Sequence, residues 1–439
     1  MKFVVNDISQ SEREVEITLG YDEIRNEIDN EVKKQSKEIQ LPGFRRGKVP
    51  KNILKQRYGN ALEIEASEKV ANSRFWQIAK ENDFKPIGQP VITDLDFNPE
   101  KDFKFKVKFE VVPVIEVKDY KNQLIEVPEF EVKPEEIEKE IYHILRSNSS
   151  EETAEVVGED ENFVLDVELT RLNENGEAIE NSKSEKMKID LSNENVHPDI
   201  KSNAKGKKAG DKFKFHFHDE RTVQNKEGKE ENVTEHFDYQ VLINGIKKIK
   251  LPELNEELIK KVTKDRISTE EELRKEIEKD IQNYYEQKIE EFTRNKLVNQ
   301  IINSNDFTPP ASVVENILDQ MVKSEEERLK NQGMKKVDLN ALREYLKPSA
   351  LNEVKWYQIK SEIQKKENLE VKDEELEELA KIDSEKTGLP VEKLMNYYKS
   401  SNQTERMLDN KLFDFLKMNN EIKRVNPEKL TQIQKEEKE

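Results

Sequence analysis

Residues 41–50 read LPGFRRGKVP. Pro42 lacks an amide donor and Gly43 tolerates backbone angles closed to other residues, so a helix arriving here must stop. Upstream, Ile24, Ile28 and Val32 recur at helical spacing, a stripe that continues towards Ile39. Downstream, Pro50 is placed to open a second helix, PKNILKQRYG, with Ile53 and Leu54 turned inward. The decapeptide is therefore the tip of a helix-loop-helix. From Lys33 to Arg57, nine basic residues (Lys33, Lys34, Lys37, Arg45, Arg46, Lys48, Lys51, Lys55, Arg57) face one acid, Glu38, a local charge of +8 in a chain of net charge -18. An aromatic, Phe44, presented between cations predicts a docking tip for a polyanion. Read from the residues alone, the segment is equally a solvated basic loop whose Phe44 folds back onto the helices.

Around the tip lies mixed structure. SEREVEITLG places Val15, Ile17 and Leu19 on one strand face, and FKFKVKFEVV does the same with Phe103, Phe105, Val107, Phe109 and Val111. Residues 61–81 continue the second helix. The segment 1–112 is α+β and carries 20 basic and 20 acidic residues, so the net acidity lies in the rest of the chain.

Residues 113–156 read as a connector, two Pro-marked extended pieces followed by a helix from Pro134 to about Arg146. Residues 157–247 are mostly β: NFVLDVELTRL, KMKIDL, DKFKFHFH and HFDYQVLING alternate, several of them separated by Gly-containing turns. From 251 onward the chain is almost wholly helical. Ser268 followed by Glu271 reads as a capping box that opens a helix reaching about Asn303. Thr308-Pro309-Pro310 punctuates, and further helices are expected over 339–366, 373–386, 390–399 and 402–418, each with a partial apolar stripe. The QKEEKE tail reads as a solvated end.

Bulk composition narrows the class. With 439 residues, 38% charged and 34% hydrophobic, the chain divides into about three domains and reads as elongated and helix-rich. Cysteine is absent, which excludes disulfide and thiolate chemistry. The start, MKFVVNDISQSERE, has no apolar stretch of signal-peptide type, and no run approaches the length of a membrane span. A cytoplasmic protein without membrane contact is expected.

LPGFRRGKVP, within a helix-loop-helix of an N-terminal α+β domain, closely resembles the ribosome-docking loop of the trigger factor family. FEVVP at 109–113, LPELNEEL at 251–258 and FTPPASVVENILDQ resemble that family's successive domain junctions, and the resemblance covers essentially the whole chain in order. It implies a multidomain α+β fold: an N-terminal ribosome-docking domain (1–112), a connector packing with the C-terminal domain (113–156), an FKBP-like β-rich middle domain (157–247) and an all-α C-terminal chaperone domain (248–439). It implies an ATP-independent chaperone that docks at the ribosomal exit and shields nascent and unfolded polypeptides. Gly43, Phe44, Arg45, Arg46, Gly47, Lys48 and Pro50 would meet a ribosomal protein and ribosomal RNA, and the chain would form a homodimer off the ribosome. The residues agree with this. Guanidiniums bind phosphates or carboxylates bidentately, and Phe44 supplies an apolar anchor.

The middle domain departs from the resemblance. FKBP-type isomerases use a dry, aromatic-lined pocket to twist an X-Pro bond against a barrier of roughly 20 kcal/mol. The matching positions here are Ile179, Glu180, Met187, Val196, His197 and Ile200. Ile179 and Met187 replace rings, and His197-Pro198-Asp199-Ile200 replaces the Ile-Pro-Gly-aromatic turn. The stretch ERTVQNKEGKEENV shows no counterpart of the pocket Tyr. A shallow, wet pocket that keeps the fold and loses most catalysis is expected. The alternative is an active prolyl isomerase whose other domains recruit substrate. A third reading, an RNA-binding protein unconnected to folding, is weaker because the positive charge is confined to one loop.

Other chemistry is set aside. His216 and His218 share a strand face and His236 lies on a nearby strand. Phe213, Phe215 and Phe217 read as the buried face opposite, so no metal is assigned. GFRRGK falls short of a phosphate loop, and no cofactor is expected. The Glu-rich stretch 270–291 reads as a solvated helix face. Tyr284-Tyr285, Phe292, Trp356-Tyr357 and Tyr397-Tyr398 stand out on polar helices, most as core and some as a client surface.

Overall fold

Alternation builds the first sheet. β1 (Lys2–Asp7) and β2 (Glu12–Leu19) lead into α1 (Tyr21–Ser36) and α2 (Lys51–Glu81), followed by β3 (Ile87–Asp96) and β4 (Phe103–Glu110). The strands pair antiparallel in the order β1-β2-β4-β3. Ile17 stands opposite Phe105 and Leu19 opposite Phe103, so the buried sets of β2 and β4 fall on one face. Ile24 and Ile28 of α1 and Val70, Phe75 and Ile78 of α2 close that face completely.

In this computed structural model the described residues are 2–430, apart from 40, 43, 45–48, 174–176, 180–183, 225–229 and 335. Two units emerge, residues 1–129 with 289–439, and residues 130–288. The second contains α3 (Pro134–Ser147), β6 (Ser150–Thr153), β7 (Phe163–Leu172), β8 (Glu185–Asp190), α4 (Pro198–Ala204), β9 (Lys212–Gln224), β10 (Glu230–Lys250) and α5 (Glu256–Thr263). Its sheet runs β6-β10-β7-β8, with β9 also pairing the long β10. Ile137, Ile141 and Ile144 of α3 pack with Ile259 of α5 and with Leu273 and Ile277 from the first half of α6 (Glu270–Ser304).

The cap of α6 differs from the sequence expectation by one residue. Thr269 Oγ1 accepts from the Glu272 amide (3.3 Å), and the Glu272 carboxylate accepts from the Thr269 amide and hydroxyl. Glu271, expected in the box, pairs with Lys275 at 2.7 Å instead. A box needs its acid three residues after the cap, and two overlapping candidates satisfied that spacing.

In the first unit, β5 (Leu124–Pro128) precedes the helices α7 (Ala311–Asn331), α8 (Leu339–Lys366), α9 (Asp373–Thr387), α10 (Val391–Ser400) and α11 (Gln403–Met418). A last strand, β11 (Glu421–Val425), pairs parallel with β5. That strand went unread in the sequence, because its partner lies some 300 positions upstream. Asn420 fixes the junction, donating to the Tyr120 carbonyl and accepting from the Gln123 amide.

Candidate functional site

At the tip between α1 and α2, Leu41 and Val49 are buried and pack with Ile39 and Ile53 into a small core of their own. Phe44 lies between these two anchors and is 38% exposed. Its amide donates to the Leu41 carbonyl at 3.0 Å, a turn that Pro42 favours. Pro50 occupies the cap position of α2, and its carbonyl accepts from the Ile53 amide. The helices beneath are braced by Arg74 of α2 on the Glu27 carboxylate of α1. Lys33, Lys34, Lys37 and Arg57 are exposed around the tip. Gly43, Arg45, Arg46, Gly47 and Lys48 lie outside the described residues, as does the side chain of Leu54. Burial of the flanking apolar residues accounts for the exposed ring, because the small core is filled by aliphatic side chains from both sides.

In the β-rich part of the second unit, the expected pocket positions part company. Ile200 is buried in the core with Ala204, Leu165 and Ile243, and Val196 packs against it half-buried. Ile179 and Met187 are exposed. His197 caps α4, its Nδ1 accepting from the Asp199 amide at 3.3 Å. Glu180 lies outside the described residues.

What the sequence reading missed is a row of rings beside His197. The imidazole centre is 6.1 Å from those of Phe215 and Phe217, Phe215 stacks on Tyr239 across the strands (5.4 Å, 15°), and Phe217 neighbours Phe237. Arg171 places its guanidinium 4.5 Å from the centre of the Phe237 ring. Two expectations are corrected here. Phe213 is buried, but Phe215 is half-buried and Phe217 is 39% exposed, so the three do not form one buried face. Ring walls are also present, supplied by β9 and β10 rather than by positions 179 and 187. The signal was available in the alternation of KFKFHFH against HFDYQV, since the paired strands set Phe215 opposite Tyr239 and Phe217 opposite Phe237.

His216 Nδ1 hydrogen-bonds the Asp238 carboxylate at 2.7 Å. The side chains of His218 and His236 lie outside the described residues.

The paired aromatics on the helices split between inside and outside. Tyr398 is buried and Tyr397 is 63% exposed; Trp356 is half-buried on Phe413 and Tyr357 is exposed. Tyr285 leans on Phe130 and donates to Glu136, while Tyr284 is exposed. Neighbours on a helix point about 100° apart, so a pair cannot share the core. Phe292 is half-buried. Tyr345, not singled out in the sequence, is the most exposed of these rings at 78%. The hydrogen bond to Glu136 pushes the Tyr285 hydroxyl up to about 12, with burial adding to it. Glu136 is held below the ordinary carboxylate range by the Lys133 amide and then by Tyr285.

Exposed rings on charged helices, together with an exposed Phe44 between buried anchors at the α1–α2 tip, are the features expected of a chain-holding protein of the chaperone class. Residues 1–144 match the family model described as bacterial trigger factor protein, and residues 269–418 match the one for its C-terminus. The chain belongs to the bacterial trigger factor family. It is 28% identical over 407 residues to the trigger factor of Chlorobaculum parvum, covering 92% of each chain. Against that of Syntrophotalea carbinolica it is 27% identical over 415 residues, covering 93% of this chain and 92% of the relative. A solved structure of the trigger factor chaperone shares 22% identity over 95% of this chain, with a TM-score of 0.48. Among the described residues, no helix is long and apolar enough to cross a membrane.

Proposed function

We propose that this chain is a cytoplasmic, ATP-independent chaperone that docks at the ribosomal exit through residues 43–50 and shields nascent and unfolded polypeptides. One observation carries the reading: Phe44 stands exposed between the buried anchors Leu41 and Val49, on the segment where the sequence concentrates its positive charge. Ribosomal RNA and a ribosomal protein are the partners that this combination of ring and guanidiniums suits. Exposed Tyr345, Tyr357 and Tyr397 on the helices supply weak, dispersed contacts for client segments. The four-part division at 112, 156 and 247 gives a docking domain, a connector, an FKBP-like isomerase domain with a degenerate pocket and a helical chaperone domain in that order. The homodimer expected off the ribosome rests on the family resemblance.

Co-sedimentation with ribosomes tests the docking. Phe44→Ala with Arg45→Ala and Arg46→Ala abolishes association, and wild-type binding weakens as salt rises because counterions compete for the phosphates. Undiminished association of the triple variant overturns the assignment.

A second reading, prolyl isomerisation by residues 157–247, is favoured by the ring row at His197, Phe215, Phe217 and Tyr239. With Ile179 and Met187 exposed and Phe217 open to solvent, water reaches the site, and catalysis that depends on a dry wall around the twisted amide is slow. A protease-coupled prolyl peptide assay decides it. Turnover equal to that of an aromatic-lined FKBP domain makes isomerisation the leading function.

A further inference from the structure

The start of α7 lacks the residues that usually close the first turn of a helix. Pro310 holds the cap position without a side-chain acceptor, and no acid stands in the first turn. The first amides of a helix have no partner within it, and the aligned peptide dipoles leave that end partly positive. Val313 and Val314 donate to the Pro310 carbonyl. Ser312 turns elsewhere. Its amide donates to both carboxylate oxygens of Glu110, at 3.2 and 3.1 Å, and its hydroxyl donates to the same group. Glu110 is the last residue of β4, 202 positions away in the chain. A strand of the N-terminal sheet thus caps a helix of the C-terminal region.

The surroundings make this contact a joint. A Cβ at Gly88, where φ is +66°, would stand 2.9 Å from the Ser312 hydroxyl oxygen, so β3 comes equally close. The Gln10 side-chain oxygen accepts from the Thr308 amide at 3.2 Å. The covalent link alongside is slender. Between Val111, the last core residue of the sheet, and the buried Val117, the chain belongs to no strand or helix, and Val112 and Val114 are exposed. Past it, Asn305 grips the Lys118 backbone, accepting from the amide at 2.8 Å and donating to the carbonyl at 2.9 Å. Pro309 and Pro310 are buried, but apolar burial has no direction. A carboxylate that accepts from an amide and a hydroxyl of one residue does. Lys108, two residues along β4, pairs with Glu12 at 3.8 Å, and among the described residues no cation pairs with Glu110. The partly positive end of α7 is what balances its charge.

We infer that Glu110 is a positioning residue: by capping α7 it sets the angle between the N-terminal sheet and the helices that follow. The consequence rests on the proposed reading of the tip as the ribosome contact. That tip belongs to the domain of the sheet. Tyr345 and Tyr357 lie on α8, which Arg343 ties to Glu315 and Asp319 of α7. A docked tip therefore directs those rings through Glu110.

Cysteine is absent, so spin labels at Glu68→Cys on α2 and Lys323→Cys on α7, both exposed, report one distance in the full-length protein. The labelled parent gives a single narrow distribution. Glu110→Ala broadens it about twofold and speeds exchange of the Ser312 amide about tenfold. Glu110→Gln keeps an acceptor oxygen and stays near the parent in both readouts. Glu12→Ala, which removes the acid directly across the strand pair, changes neither. A second label pair within the N-terminal domain, Glu68→Cys with Lys101→Cys, stays narrow in Glu110→Ala and shows that the domain is intact. The inference is overturned by a narrow 68–323 distribution in Glu110→Ala, by Glu110→Gln as broad as Glu110→Ala, by equal broadening in Glu12→Ala, or by broadening of the 68–101 pair. Co-sedimentation of the unlabelled chain with ribosomes is measured in parallel. Lost association of the wild type removes the docking reading and leaves the joint, whereas a narrow Glu110→Ala removes the joint and leaves the docking reading.

Discussion

FKFKVKFE in β4 and KFKFHFH in β9 have the same period, the same alternation of rings with polar groups and nearly the same composition. Their fates differ. Phe103, Phe105 and Phe109 are at most 2% exposed, whereas along β9 exposure rises from Phe213 (7%) to Phe217 (39%). The cover explains it. The 31-residue α2 lays residues 66–79 over the first sheet's inner face, while the seven-residue α4 buries Ile200 and Ala204 in the core with Phe213 and has its first cap, His197, beside Phe215 and Phe217. A strand's alternation specifies which residues share a face. Whether that face is a core or a binding surface depends on how much helix lies over it.

The largest test of this contrast compares truncations of equivalent rings. Phe105→Ala leaves a cavity in a closed core and costs about 3–5 kcal/mol. Phe217→Ala removes a ring already open to water and costs about 1 kcal/mol or less. Hydrogen exchange of the full-length protein, read separately over residues 103–109 and 213–217, reports each. Equal losses would mean that the β9 face is as closed as that of β4.

A middle-sized effect is expected on the helices, where Tyr284 and Tyr285 repeat the contrast within one turn. The Tyr285 hydroxyl is raised from 10.0 to about 12, so its contribution to stability is whole below pH 10 and fades as the pH climbs towards 12. Glu136 is shifted down, so its contribution is whole above the ordinary carboxylate range and is lost as acid protonates the folded form. Tyr285→Phe therefore lowers the thermal midpoint at neutral pH and converges with wild type at both extremes. Tyr284→Phe, at an exposed ring, changes the neutral-pH midpoint far less. A Tyr285→Phe deficit of constant size from acid to alkali would show that the ring's packing, not the Glu136 pair, sets its role.

The smallest stability change belongs to the open pocket. Ile179→Phe with Met187→Phe adds rings at exposed positions and shifts stability by only about 0.5 kcal/mol. Prolyl turnover rises severalfold in the protease-coupled assay if missing walls limit it. Unchanged turnover would place the limitation at His197 and the turn that it caps.

Helix limits were legible from apolar stripes and breakers. The stretch 339–366 matches α8 to the residue, and α9, α10 and α11 lie within one residue of expectation. The turn between α1 and α2 was legible because Pro42 and Pro50 act there through local backbone geometry. The ring row was misread because its members come from paired strands and their exposure depends on the length of α4. The Thr269 cap differed because neighbouring residues offered the same spacing. β11 was missed because a parallel partner more than a hundred residues away leaves no local trace.

By itself, the sequence determined the periods, the breakers and the placement of charge. These follow from backbone geometry and from side chains acting on near neighbours, so a short window contains their causes. The tertiary structure alone decided which alternating face became core, which member of each aromatic pair met solvent, and that His197 meets the rings of β9. Those outcomes depend on what packs over a surface, and burial is a property of the covering element as much as of the residue covered.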